Sequence, residues 1–192
     1  MATKAYGREK GETQPCYLTH KVLEIGGGKV VGGRCGNPIT QEADVYISFD
    51  SMSHPVLTAA FPWYEGESFC YPIVNGKTPA DLDEWRNMVA WAISLLEEGK
   101  TIHCGCIGGH GRTGLFLAAL VAHICPPDVT YTTIDGISYV DATEYVRENY
   151  CPKVVETQPQ VDFLFEHHKV TPVVASYVAR AKAAGAEPIV TH

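Results

Sequence analysis

Residues 106–114 read CIGGHGRTG and lie between two apolar stretches of very different length. Before them, Lys100 to Gly105 (KTIHCG) is short and suits a strand. After them, LFLAALVAHIC (115–125) is almost wholly apolar and suits a buried central helix that Pro126-Pro127 ends. A strand that meets a helix through a glycine-rich loop can aim several backbone N–H groups at one point, where the positive end of the helix dipole adds to them. Gly108, Gly109 and Gly111 permit the backbone angles and close approach that such a nest needs. The chain is thereby predicted to hold an anion at the carboxyl end of a strand.

The rest of the sequence fits an α/β domain. KVLEIGGGKVVGG (21–33) reads as two short strands around a glycine-rich turn, ADVYISF (43–49) as a strand and 50–67 as loop. SFCYPIV (68–74) reads as a strand followed by the turn Asn75-Gly76. A helix is expected next, with Thr78 as N-cap, Pro79 at N1 and Asp81 at N3. It runs through Trp85, Met88, Val89, Ala92 and Leu95 at a spacing near 3.6 and stops at Gly99. Further helices are expected around 139–149 and 157–168, and an alanine-rich one over 172–184. Strands alternating with helices point to an α/β architecture.

The loop also carries chemistry. The planar fork of Arg112, at the helix start, suits two oxygens of a phosphate. Cys106, at the strand end, faces the same point. The helix terminus, the amides of Ile107, Gly108, Gly109, His110, Gly111 and Arg112, and the guanidinium all favour a thiolate nucleophile there. Thr113 is placed to hydrogen-bond the sulfur and help it leave again. The loop has no lysine, so it is not a nucleotide-binding loop of the G-x4-G-K-[ST] kind.

The pattern C-x-x-G-x-G-R-T-G, carried by Cys106, Gly109, Gly111, Arg112, Thr113 and Gly114, resembles the signature of the protein tyrosine phosphatase superfamily, in its dual-specificity branch. The stretches 71–104 and 144–164 also look like the family's segments before and after the signature, so the resemblance covers roughly 68–166, about half the chain. It implies a mixed, mainly parallel central sheet flanked by helices and a metal-free hydrolysis of phosphate monoesters through a cysteinyl-phosphate. No cofactor is expected. The substrate would be a phosphorylated protein or a small phosphorylated molecule.

Two features depart from the family. Where the family usually carries an aspartate general acid, this chain has Asn75, which cannot protonate a leaving oxygen. Such acids contribute roughly 10²–10⁴-fold. Asp81, Asp83, Asp50 or His110 could substitute, the substrate could have a good leaving group, or the chain could bind phosphate without turnover. The second departure is Gly105 immediately before Cys106, where the family has histidine. His103-Cys104 looks like the signature at first reading, but Cys104 is eight positions before Arg112, too far for the family's loop. An RNA 5′-triphosphatase or phosphoanhydride phosphatase is therefore an alternative, as is a pseudophosphatase that only binds its phospho-ligand.

Composition narrows the class. With 192 residues the chain suits one domain with a sizeable core. We expect a flexible segment over 1–15, the phosphatase-like domain over 16–170 and a C-terminal helix or tail over 171–192. The start is polar and no apolar run is long enough to span a bilayer, so a cytoplasmic protein with no membrane partner is expected. Seven scattered cysteines read as thiols of a reducing compartment. A net charge of −7 and scattered basic residues argue against nucleic acid as a partner, except as a triphosphatase substrate.

Among the remaining residues, Cys104 reads as a buried strand cysteine or a redox partner of Cys106. A zinc set of His103, Cys104, Cys106 and His110 has atypical spacing. His110 reads as a pocket-rim residue, Asp50 as a turn residue, Arg147 as a structural ion-pair former, and Gln160 as a water-positioning or surface glutamine. Trp85, Trp91 and Phe163 read as packing residues, while His54, Trp63 and Tyr64 could rim a pocket.

Overall fold

The computed structural model describes residues 20–35, 38–39, 43–50, 56–57 and 68–176. The expected lead-in over 1–15, the rim residues His54, Trp63 and Tyr64, and the helical character beyond 176 lie outside the described residues.

The main sheet has five strands in the order β1-β2-β7-β4-β6: β1 (Leu23–Ile25), β2 (Gly28–Arg34), β4 (Val45–Ser48), β6 (Ser68–Cys70) and β7 (Thr101–Cys106). The β1–β2 pair is antiparallel and the other three pairings are parallel, which is the expected mixed, mainly parallel sheet. Two small pairs stand apart: β3 (Pro38–Ile39) with β5 (Val56–Leu57), and β8 (Tyr131–Ile134) with β9 (Ile137–Val140). Among the described residues four helices, α1 (Leu82–Glu97), α2 (Gly111–Ile124), α3 (Ala142–Asn149) and α4 (Gln158–His168), flank the main sheet. β7 is central, so Cys106 ends a strand buried between two neighbours. In sheets of this kind the carboxyl ends of the parallel strands form the ligand crevice.

α2 is buried along its length from Gly111 to Val121, as its all-round apolar sequence requires. α1 turns Trp85, Met88, Val89, Ala92 and Leu96 into the core. Its start differs from expectation. Asp81, and not Thr78, is the N-cap: Oδ1 accepts from the N–H groups of Asp83 and Glu84 at 3.0 and 2.9 Å. A carboxylate there satisfies two orphan donors at the positive end of the dipole, so the helix begins at Leu82 and Pro79 stays outside it.

The strand expected over 68–74 stops at Cys70. Pro72 has no N–H for a ladder, although Tyr71 and Ile73 still donate to Ser48 and Phe49 carbonyls at 2.8 and 3.1 Å. The helix expected around 139–149 starts at Ala142, because 131–140 is a hairpin. Its turn, Asp135-Gly136, has φ of 49° and 78°, the left-handed pair that Asp-Gly favours. Beyond α4, Ala175 is fully buried and Ser176 donates its N–H to the Val155 carbonyl at 3.1 Å, so the chain stays on the core up to 176.

Two buried histidines, His168 and His103, give the core a pH dependence. The Trp85 indole, which can only donate, bonds His168 Nε2 at 2.8 Å. His168 Nδ1 therefore carries the ring proton and donates to His123 Nε2 at 3.1 Å. Burial, with the charges of His123, His167 and Arg86, pushes His168 down to about 4, and burial alone pushes His103 down to about 4. Both lie below the ordinary value of 6.5, so the unfolded chain takes up these protons first. Stability is fully present above pH 6.5 and falls as pH drops toward 4, with a slope near 1.4 kcal/mol per pH unit for each histidine. Urea midpoints are expected to be lower at pH 5 than at pH 7, and a His168→Gln variant to lose less of its own midpoint over that range.

Candidate active site

Cys106 closes β7 with its side chain 3% exposed. The Thr113 hydroxyl, in the first turn of α2, lies 3.2 Å from Cys106 Sγ and donates to it. Arg112 is 3% exposed. Its Nη1 is held by the Ile73 carbonyl at 2.7 Å, the Phe49 carbonyl at 3.0 Å and Asp50 Oδ2 at 3.1 Å. Its Nε and Nη2, also buried, have no hydrogen-bond partner among the described residues. A guanidinium is thus anchored by one nitrogen while the opposite edge, two parallel N–H donors, is left over. That edge matches two oxygens of a tetrahedral oxyanion.

Backbone packing fixes the loop. Gly109 has φ of 73°, and a Cβ there would meet the Gly33 carbonyl oxygen at 2.8 Å. Packing also accounts for Gly105: a Cβ would lie 2.9 Å from both the Cys35 nitrogen and the Gly33 oxygen of the neighbouring chain segment. No side chain fits beside β2 at that point, so the histidine that the resemblance leads one to expect is excluded by contact.

The sequence-derived residues come together unevenly. Cys106, Arg112 and Thr113 share one site with the loop Ile107–Gly111. Asp50 joins them as an Arg112 anchor, buried at 7% exposure, instead of serving as a simple turn residue. Asp81 is engaged as the α1 cap. Asn75 is exposed in a turn that is tied to the site: the Thr157 hydroxyl donates to the Gly76 carbonyl at 2.9 Å and Gln160 Nε2 to the Lys77 carbonyl at 3.4 Å. His110 is buried at 4%, not at a rim, and its Nδ1 lies 3.9 Å from Glu156 Oε1. Gln160 is fully buried and accepts from the Glu156 and Thr157 N–H groups at 2.9 and 3.3 Å, completing the capping box of α4. It does not lie on the surface. Arg147 pairs with Glu144 at 2.7 Å as expected. Trp85 and Phe163 are buried, whereas Trp91 is 39% exposed against Phe69.

Sequence reasoning missed a layer of residues against the loop. The Tyr150 hydroxyl donates to the Gly109 carbonyl at 2.9 Å and contacts His20 Nδ1 at 2.7 Å. Burial, with the nearby charge of Lys153, pushes His20 down to about 4. Cys151 follows, buried, and Glu156 approaches so closely that a Cβ on Gly111 would meet its Oε2 at 2.6 Å. Cys104 is buried in β7, as one of its two readings had it, and burial pushes its thiol upward. None of the six cysteines among the described residues is in a disulfide.

The chain resembles Tk-PTP in its active form, with a TM-score of 0.53 and 21% identity over 77% of this chain and 96% of that one. It also resembles the kinase-associated phosphatase whose catalytic-site cysteine is replaced by serine, with a TM-score of 0.50 and 13% identity over 90% and 98%. The fold is that of the cysteine-dependent phosphatases. Two uncharacterized proteins of Methanocaldococcus jannaschii are each 34% identical to the chain, over 93 and 92 residues. Those matches span 48% of this chain and 48% and 52% of the relatives, about half their length. No protein-family model matches the chain. Among the described residues, no helix is long and apolar enough to cross a membrane.

Proposed function

We propose that the chain is a cysteine-dependent phosphatase that hydrolyses phosphate monoesters of the phosphotyrosine or phosphoserine/threonine type. The observation that carries this reading is the unpartnered Nε–Nη2 edge of buried Arg112 beside the Cys106–Thr113 pair. In the first step Cys106 Sγ attacks phosphorus in line. The S–P bond forms as the ester P–O bond breaks, and the leaving oxygen departs as an oxyanion that takes its proton from water. Arg112 and the backbone amides of Ile107 to Arg112 hold the non-bridging oxygens, donors arranged before the charge develops. Water then attacks phosphorus, the S–P bond breaks and phosphate leaves. The Thr113 hydroxyl stabilises the departing thiolate. Every step uses protein groups and water.

A second reading has its own support. Asn75 carries no acidic proton, Asp81 is occupied as a helix cap, Asp50 is bound to Arg112, and His110 is buried beside Glu156. A site in which these nominated acids are engaged suits substrates whose leaving group needs no proton, such as an RNA 5′-triphosphate or another phosphoanhydride.

Hydrolysis rates across phosphate monoesters of rising leaving-group pKa separate the two. Wild type is expected to show a steep fall along the series. Asn75→Asp, in the turn tied to Thr157 and Gln160, is expected to flatten it, speeding alkyl esters by up to ~10²-fold. Hydrolysis of triphosphate in preference to every aryl monophosphate would favour the second reading. No turnover of any ester or anhydride would overturn both.

A further inference from the structure

Tyr150 has a single proton, and it goes to the Gly109 carbonyl, which can only accept. The 2.7 Å contact between the Tyr150 oxygen and His20 Nδ1 must then be a bond donated by His20. His20 is therefore protonated on Nδ1 and bare on Nε2. That bare nitrogen is buried and has no hydrogen-bond partner among the described residues. An imidazole whose Nδ1–H is held by an oxygen, with the Nε2 lone pair turned into the protein, is the arrangement of a histidine that binds a metal.

Two further donors surround it. His20, His110 and Cys151 each offer one ligand atom, and the three atoms lie within 4.8 Å of one another. Donors on a tetrahedral zinc ion lie roughly 3.3–3.6 Å apart, from bond lengths of about 2.0–2.3 Å. Side-chain adjustments of about 1 Å would bring these three into range. His110 also has a carboxylate, Glu156, 3.9 Å from its Nδ1, beyond hydrogen-bond reach but close enough to favour positive charge there. Two imidazoles and a thiolate form a set that suits Zn²⁺ and not the hard cations.

We propose that His20, His110 and Cys151 bind one zinc ion against the phosphate loop, where His20 and Tyr150 pack on Gly109. Binding releases the Cys151 thiol proton to solvent. The thiolate and Glu156 then offset the charge of the ion and of nearby Lys153. The ion would tie the segment before β1, the loop residue His110 and the end of α3 together, at the level where Tyr150 already holds Gly109. The site does not depend on the phosphatase reading, since none of its ligands is Cys106, Arg112 or Thr113.

The test uses the full chain, stripped with a chelator and titrated with Zn²⁺ and then Co²⁺. One zinc per chain, a rise in Tm and a thiolate-to-cobalt charge-transfer band are expected. The band should vanish in Cys151→Ser and in His20→Ala and persist in Cys106→Ser. Tyr150→Phe, which removes the oxygen that fixes the His20 tautomer, should weaken zinc binding ~10–100-fold. Should Cys151→Ser fail to fold, His20→Ala and Tyr150→Phe decide. Absence of stoichiometric binding in wild type overturns the proposal. So does a band lost in Cys106→Ser, or one that survives His20→Ala.

Discussion

Cys106→Ser is expected to lower phosphate-ester turnover by about 10⁵–10⁶-fold, the scale on which losing a covalent nucleophile acts, while inorganic phosphate still binds. The substitution changes one atom at a site that is 3% exposed, so the loop and Arg112 should keep their places. A hydroxyl is far harder to ionise than a thiol. The Thr113 hydroxyl, which donates to Sγ at 3.2 Å, can stabilise an existing thiolate but cannot generate an alkoxide. Single-turnover kinetics and phosphate binding by calorimetry measure the two halves of the expectation. Retained turnover would remove Cys106 from the mechanism, and Cys104 is a poor substitute because it is fully buried. If wild type and variant both bind phosphate and neither hydrolyses an ester or anhydride, the chain is a phospho-ligand binding module.

The loop was legible because its chemistry is local. Cys106, the glycines, Arg112 and Thr113 fall within eight residues, and the strand before and helix after them fix their common direction. The sheet was legible for a similar reason: its buried strands are short apolar runs separated by glycine, proline or helix. What brings residues together from far along the chain left no such trace. Asp50 looked like a turn residue because nothing near it in sequence shows that Arg112, 62 positions later, would bond to it. His20 and Tyr150 are 130 positions apart, and only the fold makes their contact. Asp81 was misplaced by three positions because Thr78-Pro79 also fits a helix start, and only the carboxylate contacts to Asp83 and Glu84 decide between them. The 131–140 hairpin did have a signal, Asp135-Gly136 between β-branched residues, which the helical pattern nearby overrode.

Arg112→Lys is expected to cost about 10³-fold or more in kcat/KM, at the upper end of what losing one preorganised oxyanion donor costs, with most of the loss in kcat. The reason lies in how the guanidinium is divided. Nη1 satisfies two buried carbonyls and the Asp50 carboxylate, and that frees Nε and Nη2 as a fixed pair. A lysine ammonium is a point charge. It can satisfy the three acceptors or face the phosphate, but it cannot do both. Asp50→Asn separates the two duties. It keeps the Phe49 and Ile73 carbonyls as acceptors and removes the charge partner, so the fork survives with a looser hold. A misplacement near 1 Å costs up to about 10²-fold, and an unpaired buried guanidinium costs the fold several kcal/mol as well. Asp50→Asn should therefore lose less activity than Arg112→Lys and at least as much stability, measured by steady-state kinetics and urea unfolding on the same preparations. If Asp50→Asn matched Arg112→Lys in activity while keeping its stability, the carboxylate would be reacting with substrate, and its place as a positioning residue would be wrong.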